Sequence, residues 1–521
     1  MQIIENKALL LRVKEPGRIT TVIPKSAQIG EHEVLVKWGL EEAQVLKNLR
    51  LKNIPSPINS QYNWPGLYKP FDHQRTTASF LTMHRRAFCF NEQGTGKTSS
   101  VIWASDYLMN KGFVKRVLVL CPLSIMASAW EADLFKFAMH RTVAIAHSYS
   151  KEKRIAAVNS GADYVIVNYD GLDIIKDAVA AGGFDLIVID EANAYKTVTT
   201  RRWKTLQSVI TPSMWVWMLT GTPAAQSPTD AYGLARIINP NGVPKFFGAF
   251  RDQVMHKITQ FKWVPKKSAE QTVHEALQPA IRFTKEECLD LPDMTYTTRE
   301  VPLTPQQKKY YDKLKLNMMT VAAGEQITTV NAAANLNKLL QLSCGAVYSD
   351  TGEIVAFDAK TRMTALLEVI EEASHKVIVF VPFRHAIDII ATELRSNGIS
   401  CDVVHGGVTV TKRTEIFADF QTKKDPQVLV IQPQAAAHGV TLHAANVVVW
   451  WGPITSYESY AQANARVHRA GQRNPCTVVR IVGSPVEEKL YKMLDGKRDA
   501  QHELMTLYEE VIAPEEPEKI F

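Results

Sequence analysis

The chain has 521 residues, of which 46% are hydrophobic, 22% charged and 9% aromatic. These globular proportions exclude a disordered, collagen-like or continuous coiled-coil protein, and at about 150 residues per domain the length holds three or four folding units. Sixty Lys and Arg against 53 Asp and Glu leave a net charge of +7, a mild basic excess that permits a polyanionic partner without requiring one. No two of the six cysteines, at 89, 121, 288, 344, 401 and 476, fall at the short spacing of a zinc site, and a chain this long needs no disulfide staples, so a reducing, intracellular compartment is expected. The N-terminus has no basic segment leading into an apolar one, and apolar runs break before about 20 residues, so neither export nor a membrane span is expected.

In chain order, residues 1–62 combine short alternating segments such as Glu33 to Trp38 with a helical stretch and a turn-rich IPSPINSQYNWPG, which predicts a small α+β module. Residues 63–227 alternate apolar runs with amphipathic stretches. RVLVLCP, DYVIVNYD, DLIVIDEA and MWVWMLTGTP read as buried parallel strands of a doubly wound α/β lobe. Residues 228–345 lose that rhythm, and TPQQKKYYDKLKLNMMTVAAG and ANLNKLLQLSC predict a helical insertion. The α/β rhythm returns over 346–497 in KVIVFVPF, CDVVHGG, QVLVIQP, ANVVVWWGP and CTVVRIVG, a second lobe of the same class. Residues 498–521 read as a C-terminal helix and an acidic tail.

The first chemical signal is Phe90-Asn91-Glu92-Gln93-Gly94-Thr95-Gly96-Lys97-Thr98, between an apolar segment and a helical run. Glycines let backbone N–H groups turn onto phosphate oxygens and the helix N-terminus adds partial positive charge, while Lys97 reaches the outer phosphates and Thr98 offers a hydroxyl to Mg²⁺. Asn91 stands where this pattern usually has its first glycine. The second signal lies 93 residues beyond Lys97, where the strand Phe184 to Ile189 delivers Asp190 and Glu191. Open α/β sheets place ligands at that strand edge; Asp190 is expected to hold Mg²⁺ and Glu191 to polarise an attacking water.

These residues resemble helicase superfamily two, and more narrowly its Swi/Snf-type DNA translocases, including compact bacterial, viral and annealing-helicase-like members. The resemblance runs from about Pro70 to Lys497. PFDHQ at 70–74 is similar to an adenine-reading Q motif, with Gln74 the implied base reader and Phe71 or Tyr68 stacking partners. Residues 117–137 resemble motif Ia, 163–170 motif Ib and 219–234 motif III, and HGGVTVTKRTEIFADFQ resembles the family's segment with a helix-borne Arg and Phe. AAAHGVTLHAA at 435–445 resembles motif V, with Gly439 its matching glycine, and QANARVHRAGQ at 462–472 closely resembles motif VI. Arg466 and Arg469, three apart, are expected on one helix face, where both can point at one triphosphate. Such cations are worth on the order of 10³ to 10⁵ in rate in related enzymes; the alternative is a solvated basic face or a phosphate-backbone contact. The chain departs from the family at Asn91, at Asn193 where related proteins have His, and at Ala436, Ala437 and Thr441.

The resemblance implies two RecA-like lobes with a helical insertion between them. It also implies an ATP- and Mg²⁺-using, DNA-stimulated ATPase that translocates on double-stranded or branched DNA to remodel branches, reanneal strands or displace proteins. A strand-separating DNA or RNA helicase and a catalytically silent nucleic-acid scaffold are the alternatives. A bacterial cytoplasm or nucleoid, or a virus-infected host cell, is the expected location. Loops of motifs Ia, Ib and IV supply the candidate nucleic-acid contacts Pro122, Ser124, Asn168, Tyr169, Phe383 and Arg384, because small polar groups and backbone N–H suit sequence-blind phosphate contact. Two basic stretches with interleaved aromatics, Arg201 to Lys204 and His256 to Lys267, are further candidates for the duplex path, with core packing as the alternative. Trp450 and Trp451 read as core.

Overall fold

The computed structural model describes residues 1–221, 223–224, 227–259, 263–288, 292–324, 329–348, 354–436, 440–469, 471–496, 507–508 and 511. It divides into two compact units, residues 1–288 and 289–521.

The first unit opens with a four-stranded antiparallel sheet: β1 (Gln2–Ile4), β2 (Ala8–Arg12), β3 (Ser26–Gln28) and β4 (Glu33–Lys37), in the order β1-β2-β4-β3. Alternation decides its faces. Leu9, Leu11, Val34 and Val36 are buried against Ile19 and Leu46 of the helices Pro16–Val22 and Leu40–Asn48 and against Trp38, which follows β4, as a period of two requires. The expected α+β module is present.

The ATP-lobe candidate follows as a parallel sheet of β5 (Arg86–Cys89), β6 (Val117–Cys121), β7 (Val143–Ile145), β8 (Tyr164–Asn168), β9 (Leu186–Ile189) and β10 (Trp215–Leu219). A hairpin, β11 (Met255–Lys257) and β12 (Trp263–Pro265), stands apart, and β13 (Ala280–Ile281) completes the seven-stranded order β13-β5-β10-β9-β6-β8-β7. Helices cover both faces, which is why β6, β9 and β10 are buried along their whole length. Register aligns Leu219 with Cys89 and Met218 with Ile189. The loops that leave β5, β9 and β10 therefore emerge side by side at one sheet edge.

The second unit is built on a six-stranded parallel sheet: β14 (Met294–Glu300), β17 (Lys376–Phe380), β18 (Cys401–Val404), β19 (Val428–Ile431), β20 (Ala445–Trp450) and β21 (Cys476–Val482), in the order β14-β21-β20-β17-β19-β18. The hairpin of β15 (Ala346–Tyr348) and β16 (Ile354–Ala356) packs beside the helix Thr329–Ser343, which in turn packs on the helix Pro305–Gly324. Trp450 and Trp451 are fully buried core residues, as expected.

The stretch expected as one helical insertion, 228–345, contains the expected helices but serves both units. Its first part adds β13 to the edge of the first sheet, and its second part adds β14 to the edge of the second. Short strands with mixed side chains carry no period-two signal, so the sequence shows the helices and hides the pairing.

Candidate nucleotide site in the first unit

The phosphate loop joins β5 to the helix Lys97–Asn110. Gly94 and Gly96 have φ of 89° and 82°, in the left-handed region, and Gly96 is the residue that starts the helix. A side chain at Gly96 would be strained at that φ and would displace the Gln74 amide, 2.0 Å from where its Cβ would stand. Lys97 is buried, its Nζ donating to the carbonyls of Asn91 and Glu92 at 2.9 and 3.3 Å. Thr98, half-buried, follows in the first turn.

The loop hangs from the helix Asp72–Thr82. Gln74 accepts from the Phe71 backbone N–H at 3.0 Å through Oε1 and donates to the Thr95 carbonyl at 3.2 Å through Nε2. His73 also reaches the Thr95 carbonyl, at 2.8 Å. Asn91, where a glycine was the usual residue, is fully buried and donates through Nδ2 to the Thr77 hydroxyl at 2.8 Å. The departure is thus a tether between the loop and this helix. The far end of the helix is held by the N-terminal module: Gln44 and Lys47 donate to the carbonyls of Thr82 and Met83 at 3.0 and 3.1 Å. Phe71 and Tyr68 are exposed, at 52% and 62%, as stacking partners for a base must be. Residues 279–285 run along the loop's outer side, with Phe90 and Glu92 N–H donating to the carbonyls of Ile281 and Phe283, a contact that falls in the stretch read as an insertion.

Asp190 and Glu191 leave β9 beside this loop. Asp190 accepts the indole N–H of Trp130 at 2.9 Å and the Glu191 backbone N–H at 3.0 Å. Burial, and then the neighbouring Glu191 carboxylate, push Asp190 up to about 6, against the pull of Lys97. Glu191 sits at φ 48°, a left-handed position that turns its side chain back toward the phosphate loop, where Oε1 accepts from Nε2 of Gln93 at 2.9 Å. Its Oε2 is buried and unpartnered. Sequence reasoning gave Gln93 no role, and nothing in a glycine-rich loop signals one. Trp130 lies on a π-helical turn, Met126–Glu131, an irregularity of the kind found at functional sites.

Of the candidate nucleic-acid residues here, Pro122 starts the short turn that carries Leu123 and Ser124, with Leu123 47% exposed. Asn168 precedes the helix Tyr169–Ala181 and makes no capping bond. Tyr169 lies elsewhere than expected: its hydroxyl donates to the carbonyls of Asp190 and Glu191 at 2.5 and 3.3 Å, and the Arg202 guanidinium covers its ring at 5.1 Å. It braces the acidic turn from behind. Within the basic stretch 201–204, exposed Arg201 pairs with Asp173 at 2.5 Å, Arg202 with Asp170 at 2.7 Å, and the Trp203 indole donates to the Gly233 carbonyl at 2.8 Å.

In the second unit, Phe383 packs against the core and precedes the helix Arg384–Ser396, whose first residue, Arg384, is exposed. The helix carrying motif VI, Tyr457–Asn464, ends before the arginines, so the expected single helix face is corrected: Arg466 and Arg469 occupy the turn that follows. The Trp450 indole donates to Asn464 at 3.0 Å, and Arg466 and Val467 N–H reach back three residues instead of four, a tightening common at helix ends. Arg466 is buried; Arg469 is half-buried and donates to the Val440 carbonyl at 3.2 Å. Gln472 is a structural clamp, donating to the carbonyls of Ala445 and His443 at 2.9 and 3.3 Å. Gly439 lies outside the described residues.

Comparison with known proteins finds two consecutive family matches, the first of which runs past the boundary between the two units. Residues 36–345 match the family model of the SNF2-related domain, and residues 361–471 match the helicase conserved C-terminal domain. An uncharacterized ATP-dependent helicase of Mycoplasma genitalium is 27% identical over 425 residues, covering 78% of this chain and 39% of that protein. The chromodomain-helicase-DNA-binding protein 1-like of Danio rerio is 26% identical over 448 residues, covering 80% of this chain and 42% of that protein. Protein p41 of Acyrthosiphon pisum secondary endosymbiont phage 1 is 23% identical over 462 residues, covering 84% of this chain and 98% of that protein. The chain thus spans about two fifths of the first two relatives and nearly all of the third.

Proposed function

The chain belongs to the SNF2-related family, with a helicase C-terminal domain downstream, and from that membership we propose that it is an ATP-driven translocase on double-stranded DNA. The observation that carries the reading is the meeting of Lys97, Asp190 and Glu191 at one sheet edge, with Glu191 turned by its own backbone toward the loop that holds Lys97. Glu191 is the general base for water, since one carboxylate oxygen is fixed on Gln93 and the other carries no partner. Lys97 and the N–H groups of Gly94, Thr95 and Gly96 take the phosphates; Gln74, whose amide is engaged at both ends by Phe71 and Thr95, positions that loop, and a role for it in reading the base requires exchanging one of those bonds.

Asp190 and Thr98 offer the hard oxygen donors that suit Mg²⁺, which uses one or two protein ligands together with phosphates and water. A bound Mg²⁺ would supply positive charge for the phosphates, and the bonds from the Trp130 indole and the Glu191 N–H hold the Asp190 carboxylate in one orientation. Arg466 and Arg469 are the second unit's cations for the triphosphate in this reading, and replacing Arg469 with Ala abolishes turnover while nucleotide binding to the first unit persists.

DNA as the partner is supported by the loops at Pro122, Ser124 and Asn168, by exposed Arg384, and by the DNA-binding designation of the Danio rerio relative. The test is ATP turnover with blunt duplex, fork, four-way junction, single strand and RNA at one stated salt concentration. Duplex must stimulate and single strand alone must not; Lys97→Ala and Glu191→Gln must be silent. Stimulation by single strand without duplex would overturn the substrate, and equal turnover in all three proteins would overturn the enzyme. Unwinding of a forked duplex would favour strand separation over translocation.

A further inference from the structure

The helix Phe247–Val254 and the hairpin β11–β12 that follows it carry an exposed aromatic and basic surface that no part of the nucleotide site uses. The described residues between 245 and 267 include five Lys or Arg and one acid, Asp252, whereas the whole chain has 60 against 53. More than half of the chain's net charge therefore sits in this short stretch. Phe250 anchors the helix in the core, while Phe246 and Trp263 stand outside it. Phe246 is 70% exposed with the Lys245 ammonium 5.7 Å from its ring, and Trp263 is covered by the Arg251 guanidinium at 3.9 Å and approached by Lys257 at 5.9 Å. Arg251 is paired with Asp252 at 3.4 Å, whereas stacking leaves the Lys245 and Lys257 ammonium groups unneutralised. Lys245, Lys257 and Lys267 are exposed and make no ion pair among the described residues.

The surface is also rigidly seated. Tyr232 donates to the Lys245 carbonyl at 2.7 Å and packs its ring on Phe247 and Phe250 at 5.5 and 5.4 Å. Tyr232 belongs to the helix Ala231–Ile238, which begins within the motif III segment and packs against β10. Lys266 donates to the Asp252 carbonyl at 2.5 Å, tying the hairpin back to the helix before it. An unneutralised positive surface with flat apolar side chains, fixed to the element that leaves the nucleotide edge, fits the sugar-phosphate backbone of DNA.

We propose that this surface is a second, sequence-blind DNA contact of the first unit, in addition to the loops of motifs Ia and Ib, and that Lys245, Lys257 and Lys267 are its phosphate ligands. The proposal rests on the reading of the chain as a DNA-bound translocase. Each phosphate neutralised releases counterions and steepens the fall of affinity with salt by about 0.9 in log–log slope.

The experiment titrates a short blunt duplex against the full chain by fluorescence anisotropy from about 50 to 200 mM salt. It compares wild type, the triple variant Lys245→Gln/Lys257→Gln/Lys267→Gln, and a control variant Lys7→Gln/Lys14→Gln/Lys52→Gln that removes equal charge from the N-terminal module. The expected result is a slope shallower by about 2 to 3 for the triple variant and within about 0.5 of wild type for the control, with DNA-free ATP turnover unchanged in both. An unchanged slope in the triple variant, or an equal change in the control, overturns the proposal. So does a triple variant that keeps DNA affinity and loses binding of an acidic protein, since the surface would then serve a protein partner. Absence of DNA binding by wild type would instead overturn the functional reading on which the proposal rests.

Discussion

Replacing Gln93 with Ala removes the one donor among the described residues that fixes the Glu191 carboxylate, leaving Oε1 as bare as Oε2. A hydrogen bond to a charged acceptor is worth about 1.5 to 3 kcal/mol, and 1.36 kcal/mol is tenfold in rate. Glu191 is half-buried, so water screens part of the loss and the lower end of the range applies. The expected effect is a fall of about tenfold in kcat with little change in KM for ATP, because Gln93 holds the base and not the phosphates. Gln93→Glu sets a second carboxylate beside the first and must cost at least as much. On a Glu191→Gln background, Gln93→Ala has little further effect, since both changes act on the same carboxylate. Steady-state turnover with saturating duplex DNA, run beside thermal unfolding to confirm an intact fold, is the assay. A Gln93→Ala protein whose kcat stays within about twofold of wild type would show that Glu191 is positioned by something else.

Tyr169→Phe removes the donor behind the acidic turn, so turnover falls while affinity for duplex DNA stays unchanged; a selective loss of DNA affinity would restore Tyr169 to the nucleic-acid track. Asn91→Gly gives up the bond to Thr77 and adds backbone freedom to the unfolded chain, lowering stability by about 1 to 2 kcal/mol in urea unfolding. Glu487 pairs with Arg362 at 2.8 Å with both side chains buried, so Glu487→Ala strands a guanidinium and costs the second unit about 3 to 5 kcal/mol, read from its unfolding midpoint. Burial pushes His84 down to about 4 from its ordinary 6.5. Below about pH 6.5 the unfolded chain takes up a proton that the folded unit refuses, so stability falls from there toward pH 4, by at most about 1.4 kcal/mol per unit, and a His84→Gln protein loses that part of the slope.

The parts of this molecule written most legibly in its sequence are those where chemistry and backbone agree. The strands predicted from RVLVLCP, DYVIVNYD, DLIVIDEA and MWVWMLTGTP are β6, β8, β9 and β10, because parallel strands buried on both faces must be continuous apolar runs. Lys97 opens the helix after β5 and its loop, and the Asp190-Glu191 pair follows the end of β9. What stayed hidden was relational. The chain text cannot show that Asn91 reaches Thr77, that Gln93 reaches Glu191, or that Tyr169 turns inward, since each bond joins residues far apart in sequence. Arg466 and Arg469 keep the three-residue spacing of a helix face, yet the helix stops at Asn464. The Arg201-Arg202 pair read as open basic surface because its acids, Asp173 and Asp170, lie on another helix.

The helix Asp72–Thr82, about 16 Å long at 1.5 Å per residue, works as a strut between two tenants. Gln74 and Thr77 hold the phosphate loop near one end, and Gln44 and Lys47 cap the other. A shortened chain that begins after residue 62 would strip the caps from that strut and leave its last carbonyls to water. Loss of the first four strands would therefore be felt at Gly94 to Lys97, although no atom of the small sheet need ever approach a phosphate.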